Sequence, residues 1–186
     1  ARLLKVSSNI GKELDSLSDV VSFGVAPSMI LFNFFYTIDF EIIGNFSKYI
    51  PYIIFIIPVF SAFRLSKFNL DTRQTSSFIG LPTPANALFF STYVFLPNFL
   101  NIIHNPITIL ILVIIFSILL ISEIPMFSLK FKTWNIKDNI AIYLFLIFVL
   151  TLIVLLNPLW VGAIAITGYI AMNFGIWIYN CSKGKK

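Results

Sequence analysis

Residues 139–182 read NIAIYLFLIFVLTLIVLLNPLWVGAIAITGYIAMNFGIWIYNCS and contain no charged side chain. About 20 consecutive apolar residues cross a bilayer as a helix, so this stretch is long enough for two spans. Asn157 and Pro158 interrupt it near the middle, where a turn between two spans is needed. Because clusters of polar residues and Pro are typical of turns rather than helix interiors, the stretch predicts two membrane helices joined at that point.

The rest of the chain has the same character. Residues 20–38 and 74–122 contain no Asp, Glu, Lys or Arg, and the 186 residues are 58% hydrophobic and only 11% charged. A soluble domain usually has about 25% charged residues. The apolar runs are continuous and lack the alternation of barrel strands, which favours helices. We therefore predict an all-α integral membrane protein, a polytopic helical bundle with six spans at about residues 20–36, 49–65, 84–96, 106–121, 140–156 and 158–179.

Six spans place all but one of the 13 basic residues on one side of the membrane, in residues 1–19, 64–81, 122–139 and the C-terminal tail. Only Lys48 falls on the other side. By the positive-inside rule, the basic side is cytoplasmic. We expect a multi-pass protein of the plasma or inner membrane. Its net charge of +5 then reflects topology and attraction to anionic membrane lipids, with no nucleic acid partner.

Three residues at the start of the first neutral run share one helix face. Gly11, Asp15 and Asp19 are spaced i, i+4, i+8, and two carboxylates one turn apart repel each other. A divalent cation, or a role as a base for one carboxylate, would compensate this repulsion, because hard cations favour carboxylate oxygens. An alternative explains Asp15 and Asp19 equally well: they are solvated carboxylates at a helix end, where the helix dipole favours negative charge. Gly11 would let a ligand approach the backbone closely.

The chain has one Cys, Cys181, and one His, His104. One residue of each kind excludes an internal disulfide and cannot build a zinc site of the ordinary kind. We expect His104 to be a solvated residue of an external loop and Cys181 to be an inert thiol.

The acidic pair belongs to a longer pattern. From Ala1 and Arg2 to Asp19 the chain reads A-R-x8-G-x3-D-x3-D, which resembles the second half of the CDP-alcohol phosphatidyltransferase signature. The first half of that signature, D-x-x-D-G-x-x, would come immediately before Ala1. The resemblance implies that residues 1–186 form a single membrane domain of this family that lacks its N-terminal spans, with about eight spans in the full-length protein. Residues 1–27 would be the remnant of the catalytic motif.

Three further stretches resemble the branch of this family that makes phosphatidylserine. They are residues 14–27, LDSLSDVVSFGVAP, residues 63–69, FRLSKFN, and residues 78–87, FIGLPTPANA. Their order and spacing match that branch over the first half of the chain. Ser18 and Asn86 stand where a small Ala is common, a difference that we expect to change packing more than chemistry.

The resemblance implies transfer of the phosphatidyl group from CDP-diacylglycerol to L-serine, giving phosphatidylserine and CMP. It implies Mg2+ or Mn2+ as the cofactor, with Asp15 and Asp19 as metal ligands and Asp19 also as the base that takes the proton of the serine hydroxyl. The expected substrate-binding residues are Arg2, Gly11 and Arg64, since a guanidinium binds phosphate or carboxylate through a planar fork. The resemblance also implies a homodimer with its active site on the cytoplasmic side.

Other functions remain open at this stage. Within the same chemistry, the acceptor could be glycerol phosphate or inositol phosphate, and the lipid could be archaetidyl. A small cation-coupled transporter could use Asp15 and Asp19, but such proteins carry polar groups near mid-membrane and often an internal repeat, whereas these spans are nearly free of charge. A purely structural membrane subunit would leave the spacing of the motif unexplained.

Overall fold

The computed structural model describes residues 9–38, 44–71, 78–98, 102–127, 129 and 139–184. Seven α-helices lie in these ranges, together with a π-helical turn, a 3-10 helix and two short strands. In chain order they are α1 (Asn9–Val20), the π turn (Val21–Val25), α2 (Ala26–Tyr36), the 3-10 helix (Gly44–Phe55), α3 (Ile56–Leu70), β1 (Phe78–Ile79), α4 (Thr83–Tyr93), α5 (Pro106–Ile121), β2 (Pro125–Met126), α6 (Ile140–Leu155) and α7 (Pro158–Ser182).

The first three elements form one continuous helical rod, residues 9–36. Its π turn crosses α3 at Gly24, where an added Cβ would lie 3.0 Å from the Cα of Pro58 and 3.2 Å from the Cβ of Ser61. The rod can approach α3 this closely only because residue 24 has no side chain. The Ser28 hydroxyl donates to the carbonyl oxygen of Gly24, 2.7 Å away, within this buried crossing.

Two helices begin at the Asn-Pro pairs that interrupt the neutral runs. The side chain of Asn105 accepts from the backbone N–H of Ile107 at 2.9 Å, and the side chain of Asn157 accepts from that of Leu159 at 3.0 Å. In each case Pro follows as the first helical residue, where its missing N–H costs nothing. Each pair therefore lies at a turn, as predicted for Asn157 and Pro158, and its Asn is the N-terminal cap of the helix that follows.

The only strands in the described part of the chain form a two-stranded antiparallel ribbon, with Phe78 opposite Met126 and Ile79 opposite Pro125. Gly80 ends β1 with a φ of +75°, a conformation that L side chains rarely adopt. An added Cβ there would lie 2.7 Å from the carbonyl oxygen of Leu120, so the ribbon can reach the end of α5 only with glycine at this position.

Buried apolar side chains join the helices into one bundle, in which α4 packs on α7 and α3 packs on α5. The rings of Phe89 and Phe116 stack with centroids 4.0 Å apart near its middle. The outer surface is also apolar: on α6, Leu150 and Val154 are 63% and 76% exposed. Exposed apolar surface on this scale is suited to contact with lipid rather than water.

The predicted all-α membrane fold is confirmed, and the six predicted spans correspond to six helical segments of the described residues. Three segments are long and apolar enough to cross a membrane: Glu13–Tyr36, Lys48–Leu70 and Pro158–Ser182. Pro106–Ile121 and Ile140–Leu155 are apolar but shorter. The third predicted span corresponds to α4, which ends at Tyr93 rather than at the predicted residue 96, because the chain turns there. The ribbon was not predicted.

His104 lies in a loop, as expected, but it is only partly exposed rather than fully solvated. Its ring lies edge-on to Phe34, with centroids 4.8 Å apart, and 6.3 Å from the ring of Tyr93. Its Nε2 atom is buried and has no hydrogen-bond partner among the described residues. Burial lowers the pKa of His104 below the ordinary value of 6.5, because the apolar surroundings disfavour the charged imidazolium.

Candidate active site

Two carboxylates on α1 line a large cavity between the helices. Asp15 and Asp19 are one helical turn apart, Asp15 exposed and Asp19 half-buried, and both reach the cavity wall. Asp19 is repelled by Asp15 and attracted by Arg64 on α3. The π turn begins two residues after Asp19, and such turns are frequent beside functional sites. The helix face that carries the pair therefore meets α3 at the cavity.

Arg64 supplies a buried positive charge to the same cavity. Its side chain is only 6% exposed, and its guanidinium carbon lies 5.0 Å from the ring centre of Phe68 and 5.7 Å from that of Phe78. Its Nε and Nη2 atoms have no hydrogen-bond partner in the part of the chain that the structure describes. These two atoms form one edge of the guanidinium, the edge that binds a phosphate or carboxylate with two parallel hydrogen bonds. A buried donor pair of this kind indicates an anion-binding position.

A side-chain hydrogen bond fastens the two charged helices to each other. The Asn69 Nδ2 donates to the hydroxyl oxygen of Ser16 at 2.9 Å, which joins α3 to α1 across the cavity wall. The bond fixes the helix that carries Arg64 against the helix that carries the carboxylates. Sequence analysis gave no role to either residue, although Ser16 and Asn69 lie inside the quoted stretches 14–27 and 63–69.

The cavity is about 710 Å³ in volume and has two kinds of wall. The polar part comes from α1 and the end of α3. The remainder is mostly apolar and comes from the ribbon and from α4, α6 and α7. The three helices contribute Leu88, Phe145, Val149, Val161, Gly162, Ala165 and Ile166. Along α7 it extends from Tyr169 to Val161, eight residues or about 12 Å of helix. A molecule with a charged head and an apolar tail would match both walls.

The carboxylates also suit a divalent cation. Asp15 and Asp19 present acceptor-only oxygen atoms to one cavity, at a spacing that leaves them repelling each other. The described residues contain no cluster of three or more His, Cys, Asp or Glu side chains that could hold a metal ion by themselves. The pair therefore fits part of a cation site, and further ligands would have to come from elsewhere.

The structure brings together three of the predicted site residues, Asp15, Asp19 and Arg64. Gly11 lies on α1 one turn before Asp15, is exposed, and does not line the cavity. Arg2 lies outside the described residues. The individual roles of all five residues remain predictions.

Two further residues that line the cavity were not predicted as site residues. Phe78 and Tyr169 both line it, and Tyr169 interacts electrostatically with Arg64. Tyr169 lies in the last helix, more than 100 residues beyond Arg64, in a neutral stretch that shows no motif. Only the packing of α7 against α4 and α6 places it at the site.

Comparison with known proteins relates the chain to one family of lipid enzymes. The family model for CDP-alcohol phosphatidyltransferase matches residues 1–135. That match covers α1 to α5 and the ribbon, and therefore all the charged residues of the cavity.

Curated relatives of the chain carry names of the same chemistry. A CDP-diacylglycerol–serine O-phosphatidyltransferase of Helicobacter pylori is 32% identical over 183 residues, which cover 96% of this chain and 72% of the relative. The enzyme of that name from Methanocaldococcus jannaschii is 38% identical over 145 residues, covering 78% and 60%. An archaetidylserine synthase of Methanothermobacter thermautotrophicus is 34% identical over 115 residues, covering 61% and 43%. The chain thus spans between about two fifths and three quarters of the length of these relatives.

Proposed function

The chain belongs to the CDP-alcohol phosphatidyltransferase family, and from that membership we propose that the protein transfers the phosphatidyl group of CDP-diacylglycerol to L-serine, giving phosphatidylserine and CMP. The observation that carries the proposal is the cavity with two kinds of wall. Its charged part suits a pyrophosphate and an amino acid, and its apolar part, about 12 Å long on α7, suits an acyl chain. Relatives that carry the name of this reaction cover the same helices.

The reaction needs a base, an anion site and a way to screen charge. The serine hydroxyl oxygen attacks the phosphorus that carries the diacylglycerol, the bond from that phosphorus to the oxygen of CMP breaks, and CMP leaves with the bonding electrons. We assign the hydroxyl proton to the carboxylate of Asp19, the half-buried member of the pair. Asp15 is its partner in the cation site, and Arg64 binds either the lipid phosphate or the carboxylate of serine through its unpartnered edge.

We further propose Mg2+ or Mn2+ as the cofactor, held by Asp15 and Asp19 together with ligands outside the described residues. When bound there, a divalent cation neutralises the pyrophosphate and stabilises the charge of departing CMP. Hard cations of this kind prefer carboxylate oxygens, and the cavity presents two such side chains from one helix face.

The remaining proposals concern location and assembly. The positive-inside rule places the loops that carry the basic residues, and with them the polar part of the cavity, on the cytoplasmic side of the plasma or inner membrane. There the acyl chains of the substrate reach the bilayer while its cytidine reaches water. We keep the homodimer as a proposal that rests on family membership.

The test is CMP release by the protein expressed from its complete gene and purified in detergent or liposomes. CDP-diacylglycerol is offered with L-serine, glycerol 3-phosphate or inositol phosphate, each with Mg2+, with Mn2+ and with a chelator. A parallel arm replaces the lipid with CDP-archaeol, because one relative is named for the archaetidyl product. We expect release that depends on serine and on the cation. Release with another acceptor would keep the family and overturn the substrate, and equal release with the chelator would overturn the cofactor.

A further inference from the structure

Two polar side chains of α7 hold the backbone of one residue, Phe127. The Tyr169 hydroxyl donates to the carbonyl oxygen of Phe127 at 2.7 Å, and the N–H of Phe127 donates to the Asn173 Oδ1 at 2.8 Å. The Asn173 Nδ2 donates in turn to the carbonyl oxygen of Tyr169 at 2.8 Å, which fixes the orientation of the amide. Both side chains are at most 4% exposed. We call this pair the α7 clamp.

The clamp acts on the ribbon, because Phe127 directly follows β2. At its other end the ribbon is tied to the region where α5 ends. The N–H of Gly80 donates to the carbonyl oxygen of Ile124, and the N–H of Leu81 donates to that of Leu119, each at 2.9 Å. The ribbon is therefore attached at both ends. At the α5 end the backbone bonds are joined by Lys67 of α3, whose Nζ donates to the carbonyl oxygen of Ile121 at 3.4 Å and to the Glu123 carboxylate at 3.2 Å.

The ribbon in turn determines what surrounds Arg64. Phe78 of β1 lies opposite Met126, one residue before the clamped Phe127, and its ring lies 5.7 Å from the Arg64 guanidinium carbon. The rings of Phe68 and Phe78 lie beside the guanidinium, whose Nε and Nη2 atoms have no hydrogen-bond partner among the described residues. A shift of the ribbon would move Phe78 and change the direction in which the free edge of Arg64 points.

We propose that Tyr169 and Asn173 are positioning residues for Arg64: by clamping Phe127 they hold the ribbon, and through Phe78 they orient the guanidinium toward the substrate anion. This inference rests on the proposed function. It gives α7 a role in the reaction although α7 lies beyond the residues 1–135 that the family model matches. Asn173 does not line the cavity, so it acts only through the ribbon, whereas Tyr169 also forms part of the cavity wall.

A role confined to helix packing is the alternative. If these buried positions served helix packing alone, apolar side chains would be sufficient. Instead, Tyr169 and Asn173 are polar, and together they bond the N–H and the carbonyl oxygen of Phe127 beside the site. Loss of either bond leaves a partly buried polar group of Phe127 without its partner, at the end of the ribbon beside the site.

The test uses the enzyme expressed from its complete gene, with Asn173→Leu and Tyr169→Phe as the variants. Asn180→Leu and Tyr179→Phe are the matched controls, since both residues are exposed near the end of the same helix. Steady-state rates of CMP release at varied serine and varied CDP-diacylglycerol give kcat and KM. Each clamp variant is also combined with Arg64→Lys, and the thermal midpoint of every protein is recorded.

We expect each clamp variant to lower kcat/KM about tenfold, while the controls stay within about twofold. In the Arg64→Lys background the same substitutions should have little further effect, because coupled residues are not additive. The inference would be overturned if the loss of kcat/KM in each double variant equalled the product of the losses in its two single variants. Wild-type kinetics in both clamp variants would also overturn it. If Asn173→Leu fails to fold, Tyr169→Phe decides, since phenylalanine fills nearly the same volume. A wild-type enzyme without serine-dependent release would instead overturn the proposed function, and the inference with it.

Discussion

Replacement of Arg64 by Met tests the anion site most directly. The substitution keeps a side chain of similar length against Phe68 and Phe78 but removes the charge and both donors of the free guanidinium edge. Hydrogen bonds to a charged group contribute about 1.5–3 kcal/mol each. Two bonds at the lower limit give about 3 kcal/mol, so we expect kcat/KM to fall about 150-fold. Arg64→Lys keeps the charge without the fork and should lose about tenfold.

Stability should respond differently from activity. Burial of a guanidinium whose Nε and Nη2 atoms have no hydrogen-bond partner among the described residues costs solvation free energy, and an apolar side chain of similar size removes that cost. The attraction to Asp19 that is lost with the charge is weaker, because Asp19 is only half-buried. The contacts with the two aromatic rings offset part of that cost. We therefore expect Arg64→Met to leave the thermal midpoint of the purified protein unchanged or higher while its activity falls.

The assay is CMP release at varied serine and varied CDP-diacylglycerol, which also identifies the bound anion. A rise in KM for serine alone would assign Arg64 to the serine carboxylate, and a rise for CDP-diacylglycerol alone would assign it to the lipid phosphate. Lys183→Gln is the control, because it removes one exposed positive charge at the residue that follows α7. Wild-type kcat/KM in Arg64→Met, or an activity loss explained by unfolding, would refute the reasoning.

Three further predictions concern the base, the ribbon and the partly buried imidazole of His104. Asp19→Asn should lower kcat at least 100-fold, since a positioned base contributes about 10²- to 10⁴-fold, as measured by CMP release at saturating substrates. Gly80→Ala should lower the thermal midpoint, because strain at positive φ costs about 1–3 kcal/mol and the new Cβ would meet the end of α5. The pKa of His104 is lowered in the folded state, so the unfolded state binds the proton first as the pH falls. The free energy of unfolding should therefore decrease as the pH drops below about 6.5. Thermal midpoints at pH 7.5 and 5.5 should therefore differ less in His104→Phe than in the wild type.

Each of these predictions has a control on the same chain. Glu13→Gln removes an exposed carboxylate from α1 and should keep wild-type rates, so an equal loss in both variants would argue against a specific base. Gly175→Ala adds a Cβ with no heavy atom within 4 Å on a helix, and should not lower the thermal midpoint. An equal loss of stability at Gly175 and Gly80 would contradict the steric argument. For His104, the same drop between the two pH values in wild type and His104→Phe would show that other groups cause it.

The candidate site was predictable where its signal is local. The spacing of Asp15 and Asp19 places them on one helix face whatever the rest of the chain does, because the helical repeat fixes that relation. Arg64 was singled out by its own motif and by its place at the end of a neutral run. The sequence did not show that the guanidinium is buried with a free edge, since that depends on Phe78, which arrives on a ribbon from outside α3.

The amino-acid sequence by itself determined the class of fold, the helical segments, the starts of α5 and α7 and the acidic pair. Each of these follows from composition or from residues within a few positions of one another. Only the tertiary structure decided the π turn at Gly24, the ribbon, and the arrival of Tyr169 and Asn173 at the site. The hydrogen bond from Tyr169 to Phe127 joins residues 42 apart, and that from Asn69 to Ser16 joins residues 53 apart. Such contacts depend on how several helices pack together. The few polar groups of a neutral helix must find hydrogen-bond partners when they are buried, but the sequence of that helix does not specify which partners, and the packing of the bundle decides this.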